Sequence, residues 1–213
     1  MNTYSVVQFS TLIVYLILMV VVLRYAKTRL KNLFLVFLAA SSAWSLTSVL
    51  AHADFTQGNT APLFLRLVPL CSMWVIVAYS HFIASFVNRG ARKIFILGYG
   101  FLFIIAALIA LGYIPQEIIA LGDSNIQAVY GPWMLLMSLG GASLIGTSVF
   151  LLVKSYRASR NAEHRNRITY LLVGIGLLTV FGILYNILPP QEFAPDQIGH
   201  LGNAIVVTFA ILK

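Results

Sequence analysis

The basic residues of this chain are clustered rather than scattered. Of its fourteen Lys and Arg, twelve fall in three short clusters. These are Arg24, Lys27, Arg29 and Lys31; Arg89, Arg92 and Lys93; and Lys154, Arg157, Arg160, Arg165 and Arg167. The clusters occupy alternate gaps between long apolar runs. The remaining gaps carry no Lys or Arg and hold five of the six acids: Asp54, Glu117, Asp123, Glu192 and Asp196. Lys and Arg are retained on the cytoplasmic face as a chain inserts into a bilayer, so the alternation sets the number and the direction of the crossings. It predicts a polytopic membrane protein with the N-terminus outside and the C-terminus in the cytoplasm.

The chain is 60% hydrophobic and only 9% charged, against roughly 25% charged in soluble domains. A net charge of +8 would suit nucleic acid if it formed one face of a soluble domain. Here the charges sit at predicted helix ends, where anionic lipid headgroups are the natural partner. The lipid bilayer is therefore the expected partner, and nucleic acid is not.

About 20 apolar residues cross the hydrocarbon core as a helix. Seven runs are candidates: Ser5–Leu23, Asn32–Ala51, Pro62–Val87, Ile94–Tyr113, Trp133–Val153, Ile168–Leu188 and Ile198–Leu212. The seventh shows only 15 residues and is apolar to its end, so it reads as a helix cut short with a continuation expected beyond Lys213. Met1–Gln8 carries no basic residue and the charges follow the first run, which marks a retained span and not a cleaved signal peptide. The expected fold is an all-α membrane protein, a seven-transmembrane helix bundle formed by residues 1–213 as a single domain.

Between the fourth and fifth runs, Glu117–Leu121 and Ile126–Tyr130 flank Gly-Asp-Ser-Asn. That pattern predicts a small extracellular β-hairpin around residues 115–131. Pro189, Pro190 and Pro195 make the last outer loop a stiff turn. Ser138, Ala142 and Gly146 recur every four residues in the fifth run, a spacing that favours close packing within the bundle over dimerisation. The lone Cys71 lies inside the third run, where a packing role is expected.

Ionisable groups inside a membrane are costly and point to function. Arg66 lies four residues into the third run, about 6 Å along the axis from Pro62. So near the outer face it needs compensation, which Asp54, Glu192 or Asp196 could supply; it either locks the outer loops or binds an anionic ligand group. His52 and His200 stand near the outer ends of the second and seventh helices. With Arg66, Tyr185 and Asn186 they could line one outward-facing pocket, although each histidine could equally satisfy a nearby backbone group. His81 lies about 12 Å from the inner basic line and suits a hydrogen-bonded packing role.

Haem ligation would rest on a single histidine pair at shared depth, His52 and His200. A retinal Schiff base would need a mid-membrane lysine, and Lys213 is at the cytoplasmic side. No nucleophile–base pair, nucleotide-binding motif or metal-ligand spacing is present in the sequence. No catalytic residue, metal or cofactor is expected.

Three segments resemble a known family. Arg165–Gly174 (RNRITYLLVG), Tyr185–Pro190 (YNILPP) and Gly199–Asn203 (GHLGN) are similar to the end of the N-terminal seven-transmembrane region of histidine kinases. Trp44, Pro69, His81-Phe82 and the turn Asn88-Arg89 fit the same pattern. Asn186 stands where the family pattern carries an acidic residue. The resemblance implies a sensory input module of a signal-transduction protein in a prokaryotic plasma membrane. Its seventh helix would run on into a cytoplasmic output domain, most often a histidine kinase and sometimes a nucleotide cyclase. It further implies a homodimer through the output region. Gly199, His200 and Asn203 stand between the Pro-rich loop and the output helix, where a hinge is expected. The ligand would be a small molecule or lipid of unknown identity. The alternatives are a small transporter or permease, although no inverted repeat is evident, and a structural subunit of a membrane complex.

Overall fold

A computed structural model describes residues 3–24, 28–52, 61–120, 126–187 and 195–212. Among them are seven helices and one hairpin: α1 (Thr3–Leu23), α2 (Arg29–His52), α3 (Ala61–Phe86), α4 (Ala91–Ala110), β1 (Glu117–Ala120), β2 (Ile126–Val129), α5 (Trp133–Ala158), α6 (Ala162–Ile187) and α7 (Pro195–Leu212). By length and composition, α1 to α5 can each cross a membrane, while α7 contributes a shorter apolar stretch, Gln197–Ile211. The seven runs read from sequence thus correspond to seven helices, five of which meet the requirement for crossing alone among the described residues.

The helices outlast the apolar runs at the basic end. α5 continues to Ala158, beyond Val153, and α6 begins at Ala162, before Ile168. Apolarity marks the hydrocarbon, whereas a helix ends where its backbone groups find other partners. At the start of α6, Asn161 Oδ1 accepts from the backbone N–H of Glu163 at 2.9 Å, a side-chain N-cap. Lys31 Nζ donates to the carbonyl of Leu23 at 2.9 Å, closing the C-terminal end of α1 with a cation, as the helix dipole favours. The end of α4 comes early. Gly112, at φ 81, takes the left-handed position while Tyr113 N–H reaches Leu108 O, a Schellman stop. Asn88, at φ 52, ends α3 in the same way, with Arg89 N–H on Ala84 O.

α3 lies at the centre and packs against α2, α4 and α5; α7 packs between α6 and α1 and touches α2. The largest core cluster is aromatic where α2 meets α3. Phe34 lies 5.6 Å from Phe82, and Phe37 lies 5.2 Å from Tyr79, centroid to centroid. A second cluster joins Met73 and Val77 of α3 to Ile105 and Ile109 of α4, Met137 of α5, and Ile114. The hairpin pairs Glu117 with Val129 and Ala120 with Ile126, antiparallel. Its residues 121–125 lie outside the described residues.

The small-residue repeat of α5 does not pack within the bundle. Ser138, Ala142 and Gly146 are exposed, and a Cβ on Gly146 would meet nothing within 4 Å. The buried face of α5 is Met137, Gly141, Ser148 and Leu152. The four-residue spacing selects one face of the helix but does not say which way it turns; here the face that turns inward is a mixed one, while Leu135, Leu139 and Phe150 are exposed with the small residues. Loss of the α2–α3 ring cluster would cost far more than loss of an outward ring. Phe82→Ala is expected to destabilise the solubilised protein by about 3–5 kcal/mol. Phe103→Ala, at a position 76% exposed, is expected to stay within about 1 kcal/mol. Thermal unfolding in detergent compares the two.

Candidate functional site

Most described hydroxyls in the helices turn back on their own backbone. Ser41, Ser42, Thr47, Ser143, Thr147, Ser148, Thr179 and Thr208 each donate to the carbonyl four residues earlier. Such bonds satisfy a hydroxyl inside a membrane without specifying a neighbour. Two buried hydroxyls, on α2 and α3, reach across to α7. Ser45 Oγ donates to Gln197 Oε1 at 2.9 Å, and Tyr79 Oη donates to Asn203 Oδ1 at 3.2 Å. All four side chains are buried.

Between these two bonds, the His200 ring meets the Trp44 ring edge-on, with centroids 4.6 Å apart at 70°. The i, i+3, i+6 spacing of Gln197, His200 and Asn203 places them along one face of α7. The result is a polar seam that joins α7 to α2 and α3. On its other side α7 lies against α6 through glycines. A Cβ on Gly174 would collide with Asn203 Oδ1, and one on Gly199 would lie 2.6 Å from Phe181 Cβ. Close approach of the backbones is therefore part of how Asn203 is held toward Tyr79.

The seam is not fully satisfied. Trp44 Nε1, Gln197 Nε2, His200 Nδ1 and Asn203 Nδ2 are buried atoms with no hydrogen-bond partner. Each such group costs about 1–3 kcal/mol relative to a paired one.

Of the residues singled out from sequence, Gly199, His200 and Asn203 come together in the seam. Arg66 does not. It is exposed on α3, thirteen residues before Tyr79 and therefore about 20 Å away along the helix axis. Nor do His52 and His200 share a depth. His200 packs on Trp44, eight residues and about 12 Å along α2 from His52. The expectation assumed that α7 starts level with the end of α2. Instead the Ser45–Gln197 bond sets Gln197, the third residue of α7, about 10 Å in from the end of α2, given a rise of 1.5 Å per residue.

The side chains of His52, Tyr185, Asn186 and Asp196 lie outside the described residues, as do Asp54 and Glu192. The backbone of Tyr185 stands four residues beyond Phe181, the neighbour of Gly199. His81 sits apart from the seam, against the Phe95 and Tyr99 rings of α4. Among the described residues no group of three or more His, Cys, Asp or Glu could hold a metal ion.

Ser45, Gln197 and Tyr79 escaped the sequence reading. The three-residue polar spacing from Gln197 to Asn203 was a usable signal. Nothing in sequence separates Tyr79 from a tyrosine facing lipid.

The family model for the N-terminal seven-transmembrane region of histidine kinases matches residues 6–213. The chain belongs to this family. It is a membrane-embedded sensory input region of the kind found at the N-terminus of histidine kinases. No curated protein gives a significant match.

The seam couples Gly174 to Tyr79 through Asn203. Gly174→Ala is expected to displace the Asn203 amide, break its bond to Tyr79 and cost about 1–3 kcal/mol. In an Asn203→Ala background, the same substitution is expected to cost less than about 0.5 kcal/mol, because the two act through one contact. A double-mutant cycle of thermal unfolding measures the coupling.

Proposed function

We propose that the chain is the sensory input module of a prokaryotic plasma-membrane signalling protein, in which α7 is the moving part. A stimulus at the outer half of the bundle shifts α7 between two positions. α7 passes the shift inward to a cytoplasmic output domain, a histidine kinase, which works as a homodimer. The N-terminus is outside, the basic turns are cytoplasmic, and the hairpin is extracellular.

The observation that carries this reading is the way α7 is held. Most described helix hydroxyls that find a partner find it in their own helix, whereas α7 is held by two buried cross-helix side-chain bonds, Ser45–Gln197 and Tyr79–Asn203. A few directional bonds at a glycine-lined contact define discrete positions better than a broad interlocked apolar face, because each is made or broken as a unit. The unpartnered donors beside them leave other pairings open to α7. A stimulus acts by favouring one position over the other. The match to a histidine kinase input region supports the same reading.

Removing both bonds, by Tyr79→Phe with Ser45→Ala, withdraws about 2 kcal/mol from the position described here. That is expected to move a two-state equilibrium roughly thirtyfold and to change autophosphorylation of the native kinase in membrane vesicles at fixed stimulus. An unchanged rate in a normally folded double variant would reject α7 as the switch.

Orientation is tested separately in a Cys71→Ser background. Gly131→Cys is expected to react with an impermeant maleimide on intact cells, and Ser159→Cys only after permeabilisation. The reverse pattern would invert the topology.

A further inference from the structure

The seam around α7 is short of acceptors. Both amide oxygens are engaged, Gln197 Oε1 by the Ser45 hydroxyl and Asn203 Oδ1 by the Tyr79 hydroxyl. The amide nitrogens of the same residues have no partner, nor has Trp44 Nε1. Gln197 and Asn203 are wholly buried and Trp44 is 5% exposed. Amide and indole N–H groups can only donate. Trp44 decides the sign, since an indole nitrogen offers no lone pair whichever way the amides are turned. His200 Nδ1 is a fourth buried, unpartnered nitrogen, and its ring packs on Trp44.

We propose that this seam binds a neutral amphiphile by its carbonyl oxygens, a head that accepts hydrogen bonds and donates none. The proposal rests on the sensory role argued above and names the chemistry of the stimulus. The head enters beside His200, which is only half-buried while Gln197 and Asn203 are closed off. The apolar body remains in the bilayer. The head is neutral because the described residues of the seam include no charged side chain, and an anion buried there would lack a counter-charge.

Two sources offer such oxygens. One is a quinone from the bilayer's own pool; the other is a long-chain ketone or lactone arriving from outside. The oxygens of a quinol carry protons, and a site already rich in donors disfavours it, so the seam distinguishes the oxidised ring from the reduced one by hydrogen bonding alone.

The test uses the intact chain in lipid nanodiscs. Its single cysteine, Cys71, is buried in α3 and reports unfolding to a thiol-reactive dye. Decylubiquinone, decylubiquinol, tridecan-2-one and tridecane are titrated in turn while Tm is followed. A saturable rise in Tm is expected with decylubiquinone or tridecan-2-one, at least tenfold weaker apparent binding with decylubiquinol, and no saturable rise with tridecane. A response to the quinone alone assigns the bilayer source, and a response to the ketone alone assigns the external one.

Trp44→Phe keeps a ring against His200 and removes one donor, so it is expected to weaken binding roughly tenfold. Gln197→Leu provides a second variant with the same expectation. Equal rises with tridecane, or binding unchanged in both variants, overturn the proposal and leave the sensory role standing. Binding that depends on Trp44 but leaves kinase autophosphorylation unchanged keeps the site and removes the sensory role.

Discussion

Inside hydrocarbon a polar group must find its partner within the protein, because no water is there to supply one. Under that constraint two groups of hydroxyls in this bundle behave differently. Ser41, Ser42, Ser148 and Thr208 close onto the preceding turn of their own helices, and any apolar neighbour would serve them equally. Ser45 and Tyr79 instead spend their protons on Gln197 and Asn203. Those two choices fix how far α7 slides and how it turns. Apolar contacts alone would tolerate many positions, since membrane helices pack against lipid nearly as well as against each other.

The rest of the bundle follows from a central α3 and a peripheral α4 and α5. The rings of Phe34, Phe37, Tyr79 and Phe82 lock α2 to α3. Tyr79 therefore stands on the firmest part of the protein while its hydroxyl holds the part proposed to move. Asn203 meets that hydroxyl only because Gly174 leaves room for its side chain. An input helix held to a stiff frame by a few polar contacts suits a switch whose two positions differ by only a few kcal/mol. On α5 the exposed Ser138, Ala142 and Gly146 show a close-packing surface turned away from this frame.

Much of the architecture was legible in the residues. The basic clusters placed the turns between α1 and α2, α3 and α4, and α5 and α6, and the apolar runs placed the helices. Boundaries were legible only where a cap has a sequence signature, as at Asn161 and Gly112. The site was half legible. Gly199, His200 and Asn203 stood out as polar or small residues in an apolar run. The His52–His200 pair misled, because an estimate of depth from each helix's own start assumes that all helices start level. α7 does not, and only the Ser45–Gln197 bond reveals the offset.

The sequence by itself determined that this chain is a helical membrane protein, where its turns lie, and which family it joins. These properties depend on composition along one dimension, namely the length of an apolar run and the charge of the gap that follows. Tertiary structure alone decided that α7 sits deep against α2 and α3. It also decided that the small face of α5 turns outward and that Trp44, Gln197 and Asn203 bring unpaired donors to one seam. Those outcomes depend on the rotation and axial offset of each helix, which are set by a handful of cross-helix contacts between residues far apart in the chain.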